Sequence, residues 1–342
     1  MSFKIVSVGD YMTGENVHHF GRGICAKFKN RYNELIGEDV KDIISDGDVL
    51  FLNFESSLAE VSELNMLSID EAVYVAPIET FNLLKTLEIP VVANIANNHF
   101  GQHGTSRSLF SIKQLKDHGI TVVGENSKPV EVILKDFTLK IWGVSLVPDS
   151  HFDGSYFKSS YEKLLKDLDL SGDRKEDEYW IISIHWGKEY STQPNEEQKN
   201  LAIELSNGGF DVILGHHPHT IQPVERIKNT WVFYSHGNFL FDQNFSSLTQ
   251  IGLVAKVQLK ESKTQLYLSQ QKDYRVVSLT GISQENLWEF CADNYSDKKP
   301  LQMRILMKME MVKHFYELNY PIIKTFAGRV IKTRKTGNAK QI

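Results

Sequence analysis

Residues 180–219 read WIISIHWGKEYSTQPNEEQKNLAIELSNGGFDVILGHHPH. The run Trp180–His185 is apolar and β-branched, as a buried strand requires. A helical segment, Asn195–Ser206, begins after Pro194 and stops at Asn207-Gly208-Gly209. A second apolar run, Val212–Leu214, follows at once. Strand, helix and strand in this order predict a βαβ unit and a largely parallel sheet. Both strands run out into histidine: His185 after the first, and His216, His217 and His219 after the second, interrupted only by Pro218. Imidazole is costly to bury unpaired and has little reason to cluster in a loop.

Working outward, further strands are expected at Lys4–Val8, Val49–Phe54, Val91–Ile95, Thr121–Val123, Lys140–Leu146, Trp231–Ser235 and Gly252–Leu259. Helical spacing appears over Ile78–Leu87 and Ser106–His118. The polar region Pro148–Glu178 reads as loops with one surface helix. After Gln270 no strand is evident, while Asn286–Asn294 and Leu301–Leu318 read as helices. The expected organisation is therefore an α/β domain over 1–270 and a helical extension over 271–342.

Polar residues recur at the carboxyl ends of these strands. Asp10 follows the first, Asn53 and Glu55 the second, and Asn97, Asn98 and His99 the third; His185, the histidine group, and His236 with Asn238 follow later ones. In open α/β sheets the carboxyl ends of strands converge on the ligand crevice, so a single constellation is expected. Each piece has an ordinary explanation: Asn-Asn as turn chemistry, His185-Trp186 as a packed core pair, Glu55 as a helix N-terminal charge, Asp10 as a turn residue. Jointly they are hard to explain that way. Oxygen and nitrogen donors without thiolate suit Mn, Fe, Zn or Mg. The donors exceed what one tetrahedral ion needs, so one or two divalent ions are expected, a pair able to activate water and stabilise displacement at phosphorus. Extended alternation would let His217 and His219 point the same way, with Pro218 stiffening the turn and His216 as a structural neighbour. Lys188 and Arg107, near two of the motifs, are candidates to hold an anion.

Composition narrows the class. Hydrophobic residues make up 41% and charged residues 24% of 342, as in ordinary globular proteins. A net charge of −5 and the lack of a basic stripe with interleaved aromatics in the motif-bearing region argue against nucleic acid. Cys25 and Cys291 show no disulfide or CxxC spacing. No apolar run is long enough to span a bilayer and no signal peptide is recognisable, so a cytoplasmic location is expected. From Lys324 on, every charged residue is basic. A solvated tail is expected there, with an electrostatic anchor as the alternative.

The segments "VGDYMTGEN", "GDVLFLNFESSL", "ANIANNHFGQHG", "SIHWGKEYSTQPNEEQKNLAIELSNGGFDVILGHHPHTIQPVE" and "VFYSHGNFLFD", between about Lys4 and Asp242, resemble the CapA-type poly-γ-glutamate and capsule biosynthesis proteins, distant relatives of calcineurin-like metallophosphoesterases. The resemblance implies a four-layer α/β/β/α sandwich with a dinuclear metal site. It implies Asp10 and His219 on the first ion, Asn98, His185 and His217 on the second, and Glu55 as the bridging carboxylate beside Asn53. It also implies His99 as the proton donor or phosphoryl contact, with His236 and Asn238 close by. The sequence departs from the pattern in three places. No histidine follows Asp10-Tyr11, the bridge is Glu in place of Asp, and His103, preceded by Gln102, stands where capsule-type members usually carry Asp.

The function expected is a metal-dependent phosphoesterase-like hydrolase of an anionic metabolite, glycan or polymer in capsule, polysaccharide or poly-γ-glutamate biosynthesis. The alternative is a non-catalytic accessory component, keeping the fold and binding polymer or polymer-synthesis proteins. An amidohydrolase-type TIM barrel fits less well, since it would carry His-x-His on its first strand.

Overall fold

The computed structural model describes residues 3–313, apart from 17, 18, 20, 65, 66, 135 and 171–173. Its strands are β1 (Lys4–Tyr11), β2 (Val49–Phe54), β3 (Ser57–Ala59), β4 (Val75–Pro77), β5 (Val91–Asn94), β6 (Thr121–Val123), β7 (Val130–Ile133), β8 (Thr138–Ser145), β9 (Glu178–His185), β10 (Val212–His216), β11 (Val224–Ile227), β12 (Thr230–Phe233), β13 (Asn238–Leu240), β14 (Ile251–Gln258), β15 (Lys263–Lys272) and β16 (Arg275–Ile282). One large sheet has the order β16-β15-β14-β1-β2-β5-β6, with β13 also on β1; the other has the order β11-β12-β10-β9-β8-β7. In both, the centre is parallel (β1-β2-β5-β6 and β8-β9-β10-β12) and at least one edge is antiparallel.

Side-chain alternation along the central strands sorts the core into three apolar layers. In β2, Val49 and Phe51 point into the core between the sheets, while Leu50 and Leu52 point into the core under the helices. In the second sheet Ile181, Val212 and Leu214 meet Val49 and Phe51 across the same gap. Their neighbours Ile182, Ile184 and Ile213 face Leu201, Ala202 and Leu205 of the helix Glu196–Asn207. On the far side of the first sheet, Ile112 and Leu115 of the helix Thr105–Asp117 pack on the Leu50 and Leu52 face. Helix, sheet, sheet and helix therefore form the four-layer α/β/β/α sandwich, and both large sheets are covered, as continuous apolar runs demand.

The βαβ unit over 180–219 forms as its sequence predicts. Asn195 caps the helix: its side chain accepts from the Gln198 backbone N–H at 2.8 Å, and the Gln198 side chain accepts from the Asn195 N–H at 3.0 Å. At the other end Gly209 adopts φ 91°, which ends the helix.

One expectation fails. A strand does follow Gln270: β15 continues to Lys272 and β16 (Arg275–Ile282) pairs with it antiparallel. The hairpin turns at Asp273 (φ 50°) and Tyr274 (φ 66°), the two positive values that match strand twist. No glycine marks that turn, and β16 carries mostly half-exposed or exposed positions, so its periodicity is weak. Helix Gln284–Asp293 follows, and residues 299–313 are again helical. The rest of the expected helix Leu301–Leu318 and the basic tail lie outside the described residues. No helix among the described residues is long and apolar enough to cross a membrane.

Candidate metal centre

Asp10 lies near the end of β1, where the register against β2 shifts between Ser7 and Asp10. Such a bulge re-aims a side chain. Gly9 just before it has no room for a side chain, since a Cβ there would sit 2.0 Å from the Gly237 carbonyl oxygen. Asn53 is opposite Asp10 in the parallel register, and His185 is opposite His216 in the other sheet. These paired strand ends bring both sheets to one edge.

Asn53 organises the carboxylates. Its amide nitrogen donates to Asp10 Oδ1 at 2.9 Å and to Glu55 Oε2 at 3.0 Å, while its oxygen accepts from Asn97 Nδ2 at 3.2 Å. Asn97 in turn accepts from the backbone N–H groups of His99 and Phe100, which shapes the turn carrying Asn98 and His99. Asn98 Oδ1 lies 2.7 Å from His185 Nε2, and His185 Nε2 lies 3.1 Å from His217 Nδ1. On the other side, Asp10 Oδ2 is 3.3 Å from His219 Nδ1, and Asp10 Oδ1 is 3.2 Å from His216 Nδ1. Between these groups sits Glu55 Oε1, at 3.7 Å from His219 Nε2, 3.8 Å from His185 Nε2 and 3.9 Å from His99 Nε2.

That oxygen is buried and accepts no hydrogen bond from the protein. Leaving such a group unpaired costs about 1–3 kcal/mol, more when it is charged. Asp10, Glu55 and His185 each offer a ligand atom within 4.8 Å of the others, a spacing at which a cation fits among them. The donor set thus fits a divalent metal.

Electrostatics agree with that fit. Burial, reinforced by the Asp10 charge, raises the Glu55 carboxyl well above its ordinary range. Burial would also raise Asp10, but His216 and His219 outweigh it and hold Asp10 well below the usual value. Burial and the neighbouring histidines lower His185 far below 6.5 and His217 to about 3. Both rings are therefore neutral at physiological pH, the form that ligates metals. His219 is the exception: burial lowers it, but Glu55 and Asp10 raise it to about 9.

The loop carrying the two outer histidines differs from expectation. His217 (φ 97°) and His219 (φ 56°) both adopt left-handed backbone, so a tight turn aims them and not extended alternation. A non-glycine residue in this region stores strain, and such strain clusters at functional sites.

The surrounding residues hold the rings. Asn238 donates its amide hydrogens to Gln243 Oε1 and the Thr249 carbonyl, so its oxygen accepts from His219 Nδ1 at 2.9 Å and leaves His219 Nε2 towards Glu55. His236 bonds Ser7 Oγ at 2.8 Å and stacks on His216, and neither partner contact is to a carboxylate. His99 Nδ1 bonds Gln102 Oε1 at 3.0 Å, while Tyr74 stacks on the ring at a centroid distance of 3.6 Å. Tyr74 and Gln102 escape sequence reasoning; Tyr74 occupies φ 59°, which nothing in its neighbours announces. His103 points elsewhere, to the Val73 carbonyl.

One of the two anion candidates is engaged elsewhere. Arg107 forks onto Glu63 and the Leu58 carbonyl, so a carboxylate already meets its charge. Lys188 is exposed on the loop after β9.

Capsule biosynthesis protein CapA of Bacillus anthracis is 29% identical over 262 residues, covering 72% of this chain and 62% of that protein. PGA biosynthesis protein CapA of Bacillus subtilis (strain 168) is 28% identical over 268 residues, 75% of this chain and 68% of that protein. The chain thus spans about three-fifths to two-thirds of the length of these relatives. Among solved structures, TT1561 of Thermus thermophilus superposes with a TM-score of 0.44 at 14% identity, covering 78% of this chain and 98% of that one. The 5'-nucleotidase of Candida albicans SC5314 gives 0.39 at 7% identity, covering 92% and 58%. The family model described as bacterial capsule synthesis protein PGA_cap matches residues 4–243, the stretch that supplies every strand end of the site. The chain belongs to the bacterial capsule synthesis protein PGA_cap family.

Proposed function

We propose that this chain is a metal-dependent phosphoesterase-like hydrolase serving capsule, polysaccharide or poly-γ-glutamate biosynthesis. Its substrate would be a phosphorylated sugar, a lipid-linked glycan or a similar anionic compound. The observation that carries the proposal is Glu55 Oε1, a buried carboxylate oxygen without a hydrogen-bond donor and within 3.9 Å of His99, His185 and His219. Asp10 and His219 would hold one ion, Asn98, His185 and His217 a second, and Glu55 would face both. A divalent ion such as Mn, Zn, Fe or Mg, when bound, supplies a Lewis acid for a phosphoryl oxygen and lowers the pKa of water.

His99 has the protein's own part in the chemistry. With Nδ1 engaged by Gln102 and one face covered by Tyr74, only Nε2 remains for the centre. Burial holds this ring down at about 4, so it waits neutral. A phosphoryl anion placed beside Nε2 would supply the charge that favours uptake of a proton from solvent at that nitrogen, and the ring would then pass this proton to the leaving or non-bridging oxygen. The test is a screen of phosphomonoesters and phosphodiesters with Mn, Zn or Mg. His99→Ala should lower turnover by roughly 10²–10⁴-fold, the range for a positioned acid or base. No turnover on any ester, or full turnover by the variant, contradicts the proposal.

One observation favours the accessory alternative. The residue two after Asp10 is the buried Met12, which offers no nitrogen ligand to the first ion. Purified protein with near-zero bound metal, even after incubation with Mn or Zn, would support that role.

A further inference from the structure

An anion approaching the strand ends meets two buried carboxylates, Asp10 and Glu55, and a third acid at their edge. That acid is Glu189, on the loop after β9. Burial and Asp10 raise Glu55, and the Glu189 charge adds to the rise. Burial lowers His219, but Glu55 and Asp10 raise it, and Glu189 again adds to them. An acidic mouth of this kind disfavours a substrate with several negative groups unless a cation stands beside it. Arg107 cannot serve, being forked onto Glu63.

The helix over 299–313 supplies the cation. Met303 is buried against Tyr190 and Leu248, and the Tyr190 hydroxyl lies 3.9 Å from Met307 Sδ. Positions 303, 304 and 307 share one helix face, so Arg304 stands at the edge of this packed side. Tyr190 is itself held to the histidine turn. Its N–H donates to the Pro218 carbonyl at 2.7 Å, and its ring lies 6.2 Å from the His219 ring. Arg304 Nη2 reaches Glu189 Oε2 at 3.4 Å. Its charge is felt further in: burial and His219 lower His217, Asp10 opposes them, and Arg304 lowers it again.

The contact with Glu189 is easily exchanged. It uses one nitrogen, is long beside the roughly 2.7–2.9 Å of a strong charged pair, and leaves the Arg304 side chain 56% exposed. The guanidinium offers a fork of donors that suits a planar or tetrahedral oxyanion. Lys188 is the other exposed cation of this loop, but among the described residues no hydrogen bond or ion pair holds its ammonium. Position 304 also lies beyond the family match at 4–243, so its role is assigned from packing alone.

We propose that Arg304 is a specificity-determining residue of this site, and that the preferred ligand carries a second oxyanion, carboxylate or phosphate, beyond the phosphoryl group at the strand ends. Arg304 turns from Glu189, or shares with it, and forks onto that second group. A neutral sugar phosphate would leave Arg304 on Glu189 and gain nothing from it. The inference rests on the centre taking a phosphoryl group, but not on turnover.

The test is calorimetric titration of metal-loaded full chain with phosphonates that cannot be hydrolysed. Carboxyalkylphosphonates and alkylene bisphosphonates of increasing chain length are each compared with the plain alkylphosphonate of the same length. At the length that spans the gap, wild type should prefer the second oxyanion by roughly 10–100-fold, the worth of a hydrogen-bonded charge. The preference should shrink as salt rises, and the series with the larger preference identifies the second group. Arg304→Gln should erase most of the preference, with the melting temperature as in wild type. Arg304→Lys should keep part of it, having the charge without the fork. If plain alkylphosphonates fail to bind at all, the reading of the centre falls and this inference with it. If they bind but wild type shows no preference at any length, or Arg304→Gln keeps it in full, the inference alone is overturned. Loss of the preference in Lys188→Gln but not in Arg304→Gln overturns it too.

Discussion

Asn53 donates to Asp10 and to Glu55, which places two carboxylates around one amide, and its oxygen is spoken for by Asn97. A neutral residue at this point keeps the two acids together where an added charge would drive them apart or bind one alone. Asn238 does similar work for His219 by accepting from Nδ1, which leaves Nε2 free towards the centre. Asn238→Ala should therefore weaken metal binding by roughly 10–100-fold, measured by titration with Mn or Zn, while the fold stays intact. Undiminished affinity would mean that His219 is not a ligand. Most of the donors themselves could be seen in the sequence, because each is a polar residue at the end of an apolar run. The residues that hold the donors could not. Gln102 stands one residue before the position where an acid is expected, and only the structure shows its oxygen on His99. The stacking of Tyr74 depends on a positive φ that its sequence context does not predict.

Among the elements, the helix Glu196–Asn207 shows how local chemistry reaches the site. Its capping residue Gln198 also donates to Gln222 Oε1, and Gln222 donates to the carbonyls of Ser191 and Gln193. The helix start is thereby tied to the loop that follows His219. Asn195→Ala removes the cap, and a loss of about 1 kcal/mol in unfolding free energy is expected; chemical denaturation measures it, and no change would mean that the box is ornamental. The strands on either side of this helix were legible because their apolar runs are continuous, as burial on both faces demands. Strand β16 was not, because its pattern is half exposed and its turn lacks glycine. The turn at His217-Pro218-His219 was legible in composition but not in shape: proline suggested stiffness, while the left-handed values at both histidines come from the packing around them.

At the scale of the whole molecule, two sheets bring six separate strand ends to one edge, and the first sheet is closed around Asp10 by segments far apart in sequence. His19, ahead of the first helix, lies 3.0 Å from Asp242, after β13. Burial lowers the His19 ring, but Asp242 outweighs that and raises it above 6.5. A raised folded pKa stabilises below the unfolded value and is lost as pH climbs through the folded one. The stability gap between wild type and His19→Gln should thus be widest below about pH 6.5 and narrow as the solution becomes alkaline. Thermal unfolding across that range checks it; a gap that widens with pH would show the pair is not ionic. Charge at this scale also divides the chain, with −14 over residues 1–297 and +9 over residues 298–342.

The most direct measurement is anomalous scattering from crystals grown with Mn or Zn, together with elemental analysis of the same protein. One or two ions should appear at Glu55 Oε1, bounded by Asp10, Asn98, His185, His217 and His219, with matching stoichiometry in solution. An empty centre in metal-loaded crystals, or ions bound only elsewhere on the chain, would contradict a metal-holding role for these strand ends.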